Sequence, residues 1–279
     1  MTQPTWRKRL FRVGRSLVCI YLLVLAAVFF GQRRMLYYPA MLSPAQADAQ
    51  AVQYGLERWY DGSGQFIGWK QLSKTTGPHD RVLITHGNAG SALDRADYGR
   101  SLREALDCDV YIVEYPGYGS RAGSPSRESL FKAGDEAVAA LEKDGPFYVI
   151  GESLGTGLAA YLAGAHPKVI AALLLVAPYN DLGDVAQAHM PLFPAKWMLR
   201  DRFESSRYLR EYHGPVAVLL AGRDEVVPNR FGRKLYDEYS GPKKVWEVAR
   251  ATHNDLPAQP QEWWRELIVF WTGKPQPAR

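Results

Sequence analysis

Ser153 stands in Gly151-Glu152-Ser153-Leu154-Gly155, after a short apolar run from Phe147 to Ile150 and before a small-residue run from Gly155 to Ala165. The first run reads as a buried strand and the second as a helix, so the serine falls on a sharp strand-to-helix turn. Neighbouring chains crowd the positions two before and two after a serine so placed. Glycine at 151 and 155 relieves that crowding and tolerates unusual backbone angles. The turn pushes the hydroxyl out of the sheet, at the positive end of the following helix. Such a hydroxyl suits attack on an acyl carbonyl, provided that a base removes its proton and a third group orients the base.

Those partners are expected in the chain order serine, acid, histidine. Asp224 follows the apolar run Val216 to Ala221, in Gly222-Arg223-Asp224-Glu225-Val226-Val227-Pro228, and His253 follows Val245 to Val248, in Ala251-Thr252-His253-Asn254-Asp255. Both fall at carboxyl ends of strands, the edge on which an open α/β sheet carries its site. The competitors are weaker. His79 is in a polar turn, His166 precedes a proline at a helix end, and His189 and His213 lie in or beside an insertion and read as exposed. Glu225 and Asp255 are near misses for the acid, and Asp181 follows the wrong strand. Acyl transfer also needs backbone N–H donors aimed at the developing oxyanion. The N–H of Leu154 is one candidate, and His86-Gly87-Asn88-Ala89-Gly90, after the strand-like run Arg81 to Thr85, offers the second, at Asn88. The same loop also reads as an ordinary turn, since Gly and Asn favour turns.

The elements that position these groups alternate. After two short strands, Leu56–Tyr60 and Gln65–Leu72, around Asp61-Gly62-Ser63-Gly64, strands at 81–85, 109–113, 147–150, 169–177, 215–221 and 245–248 are separated by helical stretches near 92–105, 126–143, 155–165, 231–239 and 261–271. Buried strands that alternate with helices argue for a parallel sheet covered on both faces. Residues 179–213 break the rhythm with an apolar insertion, containing Met190, Leu192, Phe193, Trp197, Met198 and Leu199, that reads as a short cap.

Before the domain, Ser16 to Gly31 carries no charge and has arginines on both sides, with Trp6 before it and Tyr37-Tyr38 after it, as an interfacial aromatic belt would have. It is slightly short for a membrane span of about 20 residues, but arginine side chains can snorkel at either end. Ala26-Ala27 followed by Val28-Phe29-Phe30 is a poor signal-peptide cleavage site. The segment therefore reads as an uncleaved anchor. Five basic residues before it and two after it put the N-terminus in the cytoplasm and the main domain outside, periplasmic if the source is bacterial. Residues 35–51 read as a linker that lies back on the domain. The expected division is a tail and anchor over 1–34 and a catalytic domain over 35–279.

The formal charge of +5 is concentrated in the tail: residues 1–34 hold seven basic residues and no acid, which leaves 27 basic against 29 acidic residues. That balance offers no basic face for nucleic acid. Two cysteines, Cys19 and Cys108, exclude a disulfide framework and a cysteine metal site.

The loop at 86–90, Tyr115-Pro116-Gly117-Tyr118-Gly119, the turn at Ser153, Asp224 with Val227-Pro228, and His253-Asn254-Asp255 together resemble the α/β-hydrolase superfamily. Within it the chain is similar to the membrane-tethered ABHD-type serine hydrolases, which include lipid hydrolases and protein depalmitoylases, over roughly residues 35 to 272. The resemblance implies Ser153 as nucleophile, Asp224 as acid, His253 as base, Asn88 and Leu154 as oxyanion donors, and the 115–119 loop as the pocket rim. The depalmitoylases carry a cysteine-rich, lipidated N-terminus, whereas this chain has an arginine-flanked apolar span. The expected activity is hydrolysis of acyl esters or thioesters of lipid-like or other small substrates, with no metal or organic cofactor. A peptidase on the same fold, or an inert membrane-tethered scaffold, are the alternatives.

Overall fold

The computed structural model describes residues 5–75, 77, 79–256 and 259–274. The chain begins with one helix, α1 (Thr5–Leu36), followed by β1 (Tyr38–Pro39), α2 (Pro44–Tyr54), β2 (Glu57–Tyr60), β3 (Phe66–Gln71), β4 (Asp80–Thr85) and β5 (Ala89–Gly90). It continues through α3 (Ala96–Ala105), β6 (Cys108–Val113), α4 (Arg127–Leu141), β7 (Phe147–Glu152), α5 (Leu154–Ala165) and β8 (Ile170–Val176). The insertion supplies α6 (Leu182–His189), α7 (Ala195–Met198) and α8 (Ser205–Tyr208), and the chain closes with β9 (Val216–Ala221), α9 (Asn229–Glu238), β10 (Lys243–Val248) and α10 (Gln261–Thr272).

Eight strands form one sheet in the order β10-β9-β8-β7-β4-β6-β3-β2. From β6 to β10 all pairs are parallel, while β3 runs antiparallel to β6 and β2 antiparallel to β3. The parallel strands are buried on both faces, and their residues are correspondingly apolar throughout: Val82, Leu83 and Ile84 in β4, and Leu173, Leu174 and Leu175 in β8, have no exposed surface. Alternate residues feed two cores. Leu83, Val149 and Leu173 pack with α4 and α5 on one face, and Val82, Ile150 and Leu174 with α3 and α10 on the other.

Two sequence expectations need correction. The 35–51 stretch is not a plain linker. Ser43 caps α2, accepting the Gln46 N–H while Gln46 returns a bond to the Ser43 N–H, and Pro44 opens the helix. β1 then pairs in parallel with β5 beside the 86–90 loop. Tyr37, read as part of an aromatic belt, is instead buried in the domain, its hydroxyl donating to Asp201 at 3.1 Å.

α1 is long and apolar enough to cross a membrane, a property shared by anchors and signal sequences. Its C-terminal half lies along the insertion. The Tyr21 hydroxyl donates to the Leu192 carbonyl at 3.0 Å and its ring stacks on Phe193. The Arg200 N–H donates to Gln32, and Arg33 donates two bonds of 2.9 Å to the buried Asp201. A carboxylate with only 2% of its side chain exposed needs such a partner, and the guanidinium fork supplies one bidentately.

Candidate active site

Ser153 joins β7 to α5 with φ 51° and ψ −119°, in the left-handed region that a side chain rarely occupies. The strain sits on the serine itself, not on its glycines, which are needed for space. A Cβ on Gly155 would lie 2.2 Å from the Thr85 carbonyl oxygen and 2.5 Å from that of His86, and one on Gly151 would lie 2.8 Å from Ala159 Cβ. The Ser153 N–H is held by the Val176 carbonyl at 2.9 Å.

The carboxyl ends of β7, β9 and β10 bring Ser153, Asp224 and His253 together. His253 Nε2 is 2.9 Å from Ser153 Oγ and His253 Nδ1 is 2.7 Å from Asp224 Oδ2. A carboxylate can only accept, so Nδ1 carries the proton and Nε2 is free to accept from the serine hydroxyl. The other carboxylate oxygen of Asp224 accepts the N–H groups of Val226, at 2.9 Å, and Val227, at 2.7 Å. The Asp224 side chain is buried and fixed in orientation. Such a chain of groups can move the hydroxyl proton onto the imidazole as the oxygen attacks. Glu225 is exposed, Asp255 caps its own turn by accepting from Thr252, and Asp181 caps α6 by accepting the Gly183 N–H. None of the three reaches His253 among the described hydrogen bonds.

The 86–90 loop lies beside the serine: a Cβ on Gly87 would be 3.6 Å from Ser153 Cβ. Its peptides are held firmly. His86 Nδ1 donates to the Gly87 carbonyl at 2.9 Å, so the Asn88 N–H of that same trans peptide points the opposite way. The Asn88 carbonyl accepts from the Tyr38 N–H at 2.8 Å and the Tyr118 hydroxyl at 2.7 Å, and its side-chain amide donates to the Leu36 carbonyl at 2.9 Å. Leu154 opens α5, where the first N–H groups have no intrahelical acceptor.

The Tyr115–Gly119 loop does not form the pocket rim that the resemblance implied. Tyr115 and Tyr118 are buried beneath the 86–90 loop, with Tyr115 stacked on His86 and donating to its carbonyl at 2.8 Å. Below them Glu114 is fully buried, 3.6 Å from His86 Nε2, and accepts from the Ala92 N–H and the Trp69 indole. Burial raises the Glu114 carboxyl to about 7 and lowers the His86 imidazole to about 3. A carboxyl pKa raised on folding stabilises the fold below its unfolded value near 4.5, and that stabilisation is lost as the pH rises through 7. Glu114→Gln is therefore expected to gain stability relative to wild type between pH 5 and pH 8, by at most about 3 kcal/mol. Thermal melts of both proteins at the two pH values check this; a difference that does not vary with pH contradicts it.

Sequence reasoning missed most of the cavity in front of Ser153. It is an apolar cleft of about 340 Å³ reaching Asn88, Leu154, Leu182 and Val185. One wall is the end of α1, through Val28, Gln32, Met35 and Leu36, and the cap contributes Met190 and Leu199. Nothing in the composition of α1 signals this role, because a lipid-facing and a pocket-facing apolar residue look alike. His189, dismissed above as exposed, does stand at the surface but also lines the cleft, with its Nε2 against the Val226 carbonyl at 2.8 Å. Of the apolar cap residues singled out above, Met190 and Leu199 line the cleft, while Leu192 and Trp197 point outward, 80% and 81% exposed.

Residues 82–278 match the alpha/beta hydrolase family, and with this fold behind the match the chain belongs to that family. Among its relatives, the uncharacterized protein Rv2307c of Mycobacterium tuberculosis is 30% identical over 240 residues, covering 83% of this chain and 84% of that one. The lysophosphatidylserine lipase ABHD12 of Danio rerio is 29% identical over 206 residues, 64% of this chain but only 52% of the relative. Among solved structures, the esterase Est1E of Butyrivibrio proteoclasticus, with ferulic acid bound, superposes with a TM-score of 0.63 over 78% of this chain and 100% of that one, at 16% identity. The monoacylglycerol lipase of Paleococcus ferrophilus gives 0.56 over 78% and 98%, at 18% identity. The family match supports hydrolase activity, and the two structures share the fold.

Proposed function

We propose that the chain is a membrane-anchored serine hydrolase that cleaves acyl esters or thioesters through an acyl-enzyme. The observation that carries this reading is the Ser153–His253–Asp224 hydrogen-bonded chain at the base of an apolar cleft. Ser153 Oγ attacks the acyl carbonyl as His253 Nε2 takes its proton, and Asp224 holds the imidazolium. The oxyanion is received by the N–H groups of Leu154 and Asn88. His253 then protonates the leaving alcohol or thiol, and water, activated by the same imidazole, releases the acid. The division is a tail and anchor over 1–34 and a catalytic domain over 35–279, with the cap at 179–213. Retention of the anchor is supported by its part in the cleft wall and by the Tyr21 bond to the cap.

The cleft favours a lipid-like acyl chain, as does the similarity to a lysophosphatidylserine lipase. kcat/KM for p-nitrophenyl esters in constant detergent should rise with chain length until the cleft is full, by roughly fourfold per methylene, the equivalent of about 0.8 kcal/mol. Val28→Trp, which fills the cleft from the α1 side, should move that optimum to shorter chains. Efficient cleavage of matched anilides with negligible ester turnover would instead make the protein a peptidase, and turnover of neither would make it a scaffold.

The basic residues before the apolar stretch put the N-terminus in the cytoplasm and the catalytic domain on the other side. A C-terminal alkaline phosphatase fusion should be active and a green fluorescent protein fusion dark if export uses the Sec pathway. The reverse pattern overturns the orientation.

A further inference from the structure

The cap tip, Met190 to Pro194 followed by α7, carries two of the most exposed large apolar side chains in the molecule, Leu192 and Trp197. Its position along α1 is fixed at both ends. Tyr21 holds Leu192 and Phe193, while Gln32 meets Arg200 and the Met198 carbonyl. Tyr21 is about 16 Å from Gln32 along a helix that rises 1.5 Å per residue. The tip therefore lies beside the uncharged stretch of α1, at the level of Leu22, Leu23 and Val24, which are themselves exposed.

Several backbone groups of the tip are paired within the protein. The Met190 carbonyl accepts the Phe193 N–H, the Phe193 carbonyl accepts from the Gln187 amide, and the Pro194 carbonyl accepts the N–H groups of Trp197 and Met198. The Leu192 carbonyl accepts from Tyr21, and Pro191 and Pro194 have no N–H to satisfy. Groups paired in this way can leave water without the penalty of an unmade hydrogen bond.

We propose that the cap tip is a second membrane contact: Leu192 and Trp197 insert into the leaflet on which the domain sits, so that the cleft between α1 and the cap opens toward the acyl chains of a phospholipid bilayer. This rests on the reading of α1 as a membrane anchor. A lipid-like substrate then enters sideways from the leaflet, along Val28 and Met190, without crossing water.

The test uses the full chain in phospholipid vesicles and an environment-sensitive fluorophore on one exposed cysteine at a time, native Cys108 being buried. Native Cys19, exposed on α1, reports on the anchor; Leu192→Cys and, separately, Trp197→Cys in a Cys19→Ser background report on the tip. Lys143→Cys in the same Cys19→Ser background, exposed just before β7 at the opposite end of the sheet, is the aqueous reference. The label at 192 and at 197 should emit to the blue of the label at 143 and be quenched by nitroxide-bearing acyl chains. Leu192→Asp should lower turnover of an ester held in vesicles by roughly tenfold, about 1.4 kcal/mol, while leaving a water-soluble ester unaffected. Tip labels that emit as in water, with the Cys19 label still quenched, overturn the proposal and leave the anchor standing. An unquenched Cys19 label with no flotation of the protein on vesicles removes the anchor and the proposal with it.

Discussion

Ser153→Ala is expected to eliminate labelling by a fluorophosphonate probe and to lower kcat by about 10⁶, the scale seen when a serine nucleophile is removed from a hydrogen-bonded relay of this kind. Among the described residues, Ser153 Oγ is the hydroxyl oxygen that faces His253 Nε2, at 2.9 Å. The substitution should leave the fold intact, since alanine keeps the Cβ and removes only one hydroxyl. The alanine inherits the left-handed φ of 51°, and relief of that strain elsewhere in the chain is not required. His253→Ala should lose nearly as much, and the double variant no more than either, because the two groups move one proton as a unit. Intact-mass detection of a single probe adduct on wild type and of none on Ser153→Ala is the measurement. An adduct that persists on the alanine variant removes Ser153 from the mechanism.

Asp224→Asn is expected to cost about 10⁴ in kcat with little change in KM, for a reason visible in its hydrogen bonds. One side-chain oxygen of residue 224 accepts the N–H groups of Val226 and Val227, and the other accepts from His253 Nδ1. In the asparagine variant the remaining oxygen stays with the two N–H groups, which turns the amide nitrogen toward His253. Nδ1 must then accept, Nε2 carries the proton, and the imidazole presents a donor to Ser153 where an acceptor is needed. Asp224→Glu, which keeps the charge but lengthens the arm, should lose activity through misplacement and not through tautomer. A pH–rate profile separates the cases: the asparagine variant should recover some rate at high pH, where hydroxide replaces the missing base, and the glutamate variant should keep the wild-type shape. A fully active Asp224→Asn enzyme would exclude the carboxylate as the orienting group.

The parallel strands were legible because strands buried on both faces must be apolar at every position, and the helices between them because their small and apolar residues recur at helical spacing. The candidate site was legible for a related reason. Ser153 needs glycines two residues away on each side, and 155 in particular is closed to any side chain by the Thr85 and His86 carbonyls. Asp224 and His253 were found by chain order after their strands. These are constraints that act within a few residues, or through the rule that this sheet carries its site at one edge, so a single chain records them. The two-residue β1 and the capped helix α2 left weaker marks, because their length and pairing depend on the loop at 86–90 that they meet in space.

What the tertiary structure alone decided lies where distant segments meet. That Tyr37 belongs to the core follows from Asp201, 164 residues away, and from Arg33 on the same carboxylate. That Tyr115 and Tyr118 support the 86–90 loop from below depends on β4 and β6 lying side by side. The end of α1 became a wall of the cleft only because it docks along the cap, and the outward turn of Leu192 and Trp197 depends on the same docking. Hydropathy reports how apolar a residue is and carries no record of which apolar surface it will meet. The sequence determined the candidate reacting groups and the sheet that carries them, while the packing of α1 against the cap decided the shape of the cleft above them.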